Sequence, residues 1–510
     1  MIEVLENTVP LTGGLTFPDS KAVLIKMPLQ KALLPKLIKL PLLQNTGLLA
    51  SPIVEVGDAV SKGQLIAETK DNSCSPVYAS TSGVVKEIAE YPLPESYDLK
   101  STCIVIETDG EDKWLEQKQT NTDYKNSSTE ELLNKIIQVG VAKLASKSFS
   151  YIKNHIAYTK QGISLLIINA AETEPFISCK NAVLNNDIDE IIAGIEILVR
   201  TLKVENCVIA IDESNFESIQ FVEEALSKTN VAIKIELKSV PSHFPACEEK
   251  QLIKSICGKE IAAEELSVKH DVVVEDVSFA LAVKKAVIDN EPLLSRVVTV
   301  TGPGINQACN IDVLIGTPIN EVIDQCNGYS NEFSFLIIGG PMTGFKLYSD
   351  DAPVIETTNC ILAADDQLNS INIKQNNCIR CDDCVPVCPV KLNPQHLHWQ
   401  SLEQDVEQLN QSGLFDCIEC GCCSYVCPSH IPLVAEYKQA KYKIRKQQTA
   451  DGNKQRYLDK IARKERLEAE KLNRRQNKVT QDKDDEMKKR KDAIAAAVNR
   501  VRKKREEKSN

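Results

Sequence analysis

Apolar residues change their spacing several times along the chain, and each change marks a boundary. From residue 52 to 106 they come in short runs broken by turns: 53–56, Gly57-Asp58, Ala59-Val60, Lys62-Gly63 and 65–68, then a matching half at 77–79, Ser82-Gly83 and 84–88. This quasi-repeat predicts a small all-β module over 45–108. After a polar linker at 107–130, helical spacing over 131–139 leads to a continuous apolar run, Ile163–Asn169, suited to a buried strand. Helix 188–202, strand 206–211, helix Phe216–Lys228 and strand 232–240 continue the alternation. Such alternation predicts a parallel sheet with helices on its faces, here over 130–270. Ligands bind such sheets at the carboxyl ends of their strands, and the segment from Asn169 through Glu172 and Glu174 to Pro175 lies at one of those ends. Farther on, strand 296–301, a Gly302-Pro303-Gly304 turn, strand 310–315, a helix over 319–326 led by Thr317 and Pro318, and strand 333–338 form a ββαβ unit within 271–350.

The flanks lack such periodicity. Residues 1–44 carry Pro28, Pro35 and Pro41 among Lys and Leu, which prevents a long helix and leaves an extended arm, with a membrane-surface segment as the alternative. Residues 441–510 are rich in Lys, Glu, Arg and Gln; Glu465, Arg466, Glu468, Glu470 and Lys471 allow i,i+4 pairing on a solvated helix or disordered tail.

At 510 residues and 43% hydrophobic content the chain has room for three or four domains. No run of 18 apolar residues appears, and the nearest stretch, 163–171, is too short to span a bilayer, so the expectation is a soluble or peripheral protein with no transmembrane segment. The net charge of −11 conceals an asymmetry. Residues 441–510 hold 25 Lys and Arg against 12 Asp and Glu, which leaves the rest of the chain at −24. An acidic body argues against nucleic acid as a partner, whereas the basic tail suits an anionic surface.

Of 18 cysteines, eight fall in two copies of C-x2-C-x2-C-x3-C-P: CIRCDDCVPVCP at 378–389 and CIECGCCSYVCP at 417–428. In two-cluster ferredoxins the fourth cysteine of each such run ligates the other cluster. The pattern predicts two [4Fe–4S] clusters in a domain over 370–440, one on Cys378, Cys381, Cys384 and Cys427, the other on Cys417, Cys420, Cys423 and Cys388. Structural zinc is the competing reading, but a tetrahedral ion needs neither the third cysteine of each run nor the Cys-Pro ending. A disulfide framework does not suit a chain that opens without a secretory signal. Cys422 fits neither set and reads as a bystander thiol; His396, His398 and His430 read as surface or capping residues, and Trp399 and Tyr425 as packing around the clusters.

The quasi-repeat at 45–108 resembles the barrel-sandwich hybrid of biotinyl and lipoyl domains, though Lys70 falls too early for their modified lysine. The ββαβ unit looks like a small β-grasp, SLBB-like domain. Together with the double cysteine run, with LFDCIECGCCSYVCPSHIPLVAEYKQAK at 414–441 and EPLLSRVVTVTG at 291–302, this order closely resembles the RnfC/RsxC family of the Rnf/Rsx ion-translocating electron transport complex. The α/β domain is also similar to the flavin-bearing, NADH-oxidising subunit of respiratory complex I. The resemblance implies a translocase subunit, peripheral on the cytoplasmic side of the cell inner membrane, passing electrons through two [4Fe–4S] clusters to the other subunits.

By the same resemblance, Asn169, Glu172, Glu174, Glu249 and Lys250 belong to an FMN and NADH site, but the phosphate cradle is eroded. Where the family has A-G-I-V-G-L-G-G-A-G-F-P-T, residues 139–151 keep Gly140 and Phe149 but carry Lys143, Ala145, Ser146 and Ser148 at four glycine positions and Ser150 for proline. The family's S-G-G-E-K reads Ala246-Cys247-Glu248-Glu249-Lys250. FMN and NADH binding is therefore expected to be weak or absent. The alternative is an FMN-dependent NADH dehydrogenase module feeding the clusters directly.

Overall fold

The computed structural model describes residues 9–18, 21–43, 49–69, 75–94, 99–116, 124–140, 163–229, 234–262, 265–368, 374–448, 459, 466 and 487–501. Lys70, most of the degenerate glycine segment (141–151) and the tail residues 465, 468, 470 and 471 lie outside them. The chain forms two compact units, 1–438 and 439–510.

The α/β part of the first unit is a four-stranded parallel sheet ordered Ile235–Val240, Val204–Asp212, Ile163–Asn169, Val272–Asp276. Ile163–Asn169 lies second in from one edge with neighbours on both sides, which is why Leu165, Leu166, Ile167 and Ile168 follow one another without alternation. Leu166 and Ile168 face the helices Cys179–Leu202 and Val277–Lys284, while Ile167 and Ala171 face Glu249–Cys257. The first helix begins nine residues before the expected 188–202, since its first two turns bury Ala182, Val183 and Leu184. At Gly194 the two helices on that face nearly touch: a Cβ there would sit 1.9 Å from the Ala280 carbonyl oxygen. The helix Thr129–Gln138 starts where Ser128 and Glu131 form a reciprocal capping box.

Ser295–Thr301, Cys309–Leu314, the helix Ile319–Gln325 and Phe335–Ile338 make up the ββαβ unit, but its sheet has six strands. Cys360–Ala364, buried at every position, inserts between Ser295–Thr301 and Phe335–Ile338. Gln30–Lys31 adds to the far edge alongside Cys309–Leu314.

The N-terminal β module packs a sheet ordered Leu37–Pro41, Lys100–Thr108, Gly83–Pro92, Ala59–Val60 against a second one of Ser51–Pro52, Leu65–Glu68 and Val77–Tyr78. Ile38, Leu40, Ile66, Ile104 and Ile106 fill its core. The extended arm over 1–44 ends in a strand of this module. Leu37–Pro41 is a buried strand, and the buried Lys39 ammonium pairs with Asp351 and lies 4.5 Å from the Tyr91 ring centroid.

In the second unit the described residues 439–448, 459, 466 and 487–501 are helical. Among the described residues no helix is long and apolar enough to cross a membrane.

Candidate metal centres

The two cysteine runs repeat in backbone as well as in sequence. Arg380 and Asp382 in the first run take positive φ (60° and 63°), and Glu419 and Gly421 do so at the same places in the second (60° and 86°). Lys391 and His430, three residues past each fourth cysteine, match as well (56° and 51°). Left-handed backbone costs a non-glycine residue about 1 kcal/mol, yet five of these six positions are not glycine. The tight left-handed turns fold each C-x2-C-x2-C segment back so that three thiols face one space.

Two cavities result. The first, partly open to solvent, is lined by Cys378, Cys381, Cys384 and Cys427, with Gln395, His398, Ile431 and Leu433. The second is lined by Cys388, Cys417, Cys420 and Cys423, with Leu392, Leu397, Val434 and Tyr437. Each run therefore sends its fourth cysteine to the other run's cavity. Among the described residues no group of three His, Cys, Asp or Glu side chains is arranged to hold a single metal ion. A tetrahedral zinc needs neither the third cysteine of each run nor the Cys-Pro ending; four thiols gathered at each mostly apolar cavity, the fourth supplied by the other run, fit a [4Fe–4S] cluster.

Burial pushes the Cys384 thiol up to about 11 and raises Cys388 as well. Donors that reach ligand sulfurs include the Leu392 amide to Cys388 at 3.3 Å, the Glu419 amide to Cys417 at 3.4 Å, and Gln395 Nε2 to Cys378 at 3.9 Å. His398 is buried with Nδ1 2.6 Å from Glu436, which fixes its ring at the wall of the first cavity. His396 and His430 are exposed. Trp399 lies against Arg380, with 5.7 Å from guanidinium to ring, while Tyr425 is 63% exposed and meets Phe17 edge-on at 5.3 Å. Cys422 lines the second cavity as a fifth, fully buried thiol.

The residues expected at a flavin site are occupied by the protein itself. Asn169 donates to the Cys247 carbonyl at 2.9 Å and accepts the Ala171 amide. Glu172 accepts the amides of Lys180 and Asn181, so it caps the helix that follows. Glu174 accepts the amides of Met342 and Thr343, both at 2.9 Å, and the Thr343 hydroxyl at 2.7 Å. Burial raises its carboxyl above the ordinary range, against the pull of these bonds. Glu249 accepts from Ser267 at 2.7 Å, and Lys250 donates to the Ala262 carbonyl. These contacts tie Glu174 to residues 342–343 and Glu249 and Lys250 to residues 262–267.

Residues 9–111 match a model described as the RnfC barrel sandwich hybrid domain, 136–285 the Nuo51 FMN-binding domain, 297–346 the SLBB domain and 374–431 the 4Fe-4S dicluster domain. Proteins named as the C component of an ion-translocating oxidoreductase complex are similar over most of the chain. That of Pasteurella multocida is 36% identical over 87% of this chain and 53% of its own length. The one from Pectobacterium carotovorum is 37% identical over 96% and 65%, and that from Haemophilus influenzae strain PittEE is 37% identical over 89% and 70%. The chain belongs to the RnfC family. It spans only about half to two thirds of the length of the first relatives it matches. A chain in the crystal structure of NAD+-reducing [NiFe]-hydrogenase in the H2-reduced state aligns over 63% of this chain and 64% of that one, at 14% identity and a TM-score of 0.45.

In this RnfC-family chain, the contacts that seat the cluster domain are not visible in the sequence. Leu15, Phe17, Phe244 and Met342 pack around Val387, Ile418, Cys420 and Cys422 beside the second cavity. The Gly14 amide bonds the Val387 carbonyl, and the Leu15 amide the Phe244 carbonyl, both at 2.8 Å. A Cβ on Gly13 would lie 2.6 Å from the Cys388 carbonyl carbon. The Gly13-Gly14 pair in an otherwise irregular arm is the one available signal.

Proposed function

We propose that this chain is a peripheral electron-relay subunit of a membrane complex that couples electron transfer to ion translocation, held on the cytoplasmic side of the cell inner membrane. The observation that carries the reading is the sorting of eight thiols into two crossed sets of four around two cavities. Cys378, Cys381, Cys384 and Cys427 would hold one [4Fe–4S] cluster, and Cys417, Cys420, Cys423 and Cys388 the other. Each cluster, when bound, supplies one-electron oxidation and reduction. The chain's own residues set the surroundings. Amides of Leu392 and Glu419 and the Gln395 side chain direct donors at the ligand sulfurs, which favours the reduced charge state, while Asp382, Asp383 and Glu419 oppose it. Apolar walls line both sites, and the first stays partly open at the exposed Cys381.

The relatives' names support other subunits of an ion-translocating oxidoreductase complex as the partners. The acidic body leaves nucleic acid out of the proposal. FMN and NADH, on this reading, bind weakly or not at all, because the residues that would hold them are bonded within the protein. The match of 136–285 to an FMN-binding domain favours a second reading, in which the chain is an FMN-dependent NADH dehydrogenase module feeding its own clusters.

Anaerobic reconstitution of the full chain with iron and sulfide separates the readings. The proposal expects broad brown absorption that bleaches with dithionite, no flavin retained after desalting with FMN, and no bleaching by NADH. Stoichiometric flavin with NADH-driven bleaching would establish the second reading, and a colourless zinc protein would defeat both.

A further inference from the structure

The helix at 487–501 carries a narrow apolar stripe. Met487, Ile494, Val498 and Val501 are 56%, 64%, 59% and 56% exposed, and every described residue around them is exposed too. At 3.6 residues per turn these four side chains fall within an arc of roughly 60°. Arg490 and Lys491 flank the arc on its two sides, and Lys488, Lys489 and Arg500 stand on the polar face. Asp492 is the one acidic residue between 487 and 501, against five Lys and Arg.

We propose that this helix is a lipid-docking segment that lies flat on an anionic bilayer surface. A strong apolar stripe, low overall hydrophobicity and a cationic polar face are the features of a helix that sits in the headgroup region. Arg490 and Lys491, at the edges of the stripe, have stems long enough to lie along the apolar layer while their charges reach the phosphates. Ala493, Ala495, Ala496 and Ala497 keep the helix slender around the stripe. The excess of cations continues through the unit, with 25 Lys and Arg against 12 Asp and Glu over 441–510. Juxtaposed basic residues each add roughly fivefold to partition onto an anionic leaflet.

A second copy of the chain fits this stripe poorly. With Met487, Ile494 and Val501 at one heptad core position, the other holds Arg490 and Ala497 in one register and Lys491 and Val498 in the other. In both a cation stands at a core position where a coiled coil needs an apolar side chain. An acidic protein surface would meet the charges but leave the apolar stripe wet. The inference rests on the helix's own side chains and not on the cluster reading, so either can fail alone.

The test is flotation of the full, cluster-loaded chain with vesicles of phosphatidylethanolamine and phosphatidylglycerol, and with vesicles of phosphatidylcholine alone. The expected result is binding to the anionic vesicles that weakens as salt rises, and none to phosphatidylcholine. Ile494→Asp with Val498→Asp, and separately Lys488→Glu with Lys491→Glu, should each lower the bound fraction at least tenfold while the cluster absorption stays unchanged. Four results overturn the proposal: no flotation on anionic vesicles, equal flotation on both kinds, full binding by either double variant, or a concentration-dependent dimer in sedimentation that Ile494→Asp with Val498→Asp abolishes.

Discussion

The fourth cysteine of each run is the residue on which the crossed arrangement turns. Cys427 lines the cavity of Cys378, Cys381 and Cys384, thirty-nine residues from its equivalent Cys388, which lines the other. Cys427→Ser should therefore cost the first run's cluster and spare the second, taking bound iron from about eight to about four per chain. Adding Cys378→Ser should remove no further iron, whereas adding Cys417→Ser should strip the protein; iron analysis of the two double variants checks this, and the reverse pattern would mean that each run serves its own cluster. Glu356 shows a different residue-scale effect. It is 5% exposed, and burial raises its carboxyl from the ordinary glutamate value to about 8, against the pull of the nearby Arg296. Because the folded state holds the proton more tightly than the unfolded chain, Glu356 stabilises the fold below pH 4.5. That stability, on the order of 4 kcal/mol, is lost as pH climbs through about 8. Glu356→Gln should flatten this slope, and denaturant melts at pH 5 and pH 8.5 would reveal it.

At the scale of elements, the helix pair Cys179–Leu202 and Val277–Lys284 depends on Gly194, where a methyl group would meet the Ala280 carbonyl. Backbone cannot yield as a flexible side chain would, so Gly194→Ala should push the helices apart and lower stability by about 2 kcal/mol, read from urea unfolding. A glycine in mid-helix is visible in sequence; its partner is not, since Ala280 lies far along the chain. The same division between local and distant causes holds elsewhere. Ile163–Asn169 and Phe216–Lys228 are legible because burial on two faces or one stamps a period on the residues themselves. Leu37–Pro41 is hidden by prolines at 35 and 41 that look like breakers but sit at a strand's edges. Cys360–Ala364 is hidden because five consecutive apolar residues between loops carry no period, and only the sheet reveals the gap they fill. The cluster thiols are legible because ligand spacing is local. That Glu172 caps a helix and Glu174 binds Met342 and Thr343 is not, because those partners are set by tertiary structure.

Across the whole first unit, the cluster domain is held to the rest by contacts from three directions. Leu15 and Phe17 come from the N-terminal segment, Phe244 from the α/β domain and Met342 from the β-grasp sheet, all meeting the second run beside Cys420 and Cys422. Gly421 presses the same place, where a Cβ would lie 2.8 Å from the Met342 carbonyl oxygen. The segment at Gly13-Gly14 threads this junction so closely that it has no space for side chains: Gly13 has φ +69° and Cys388 backbone 2.6 Å from its would-be Cβ. Substitution there acts twice, once through the left-handed backbone and once through the collision. Gly13→Ala should dislodge the segment and open the second cavity to solvent while leaving the first, already more open at Cys381, as it was. In the reconstituted chain, bleaching by a chelator or by ferricyanide should then split into a fast phase for the cluster on Cys388, Cys417, Cys420 and Cys423 and an unchanged phase for the other. Hydrogen exchange should rise at 13–17, 387–390 and 243–246 together, because the three segments bond one another. Equal acceleration of both phases would show that the segment stabilises the domain as a whole and does not seal one site.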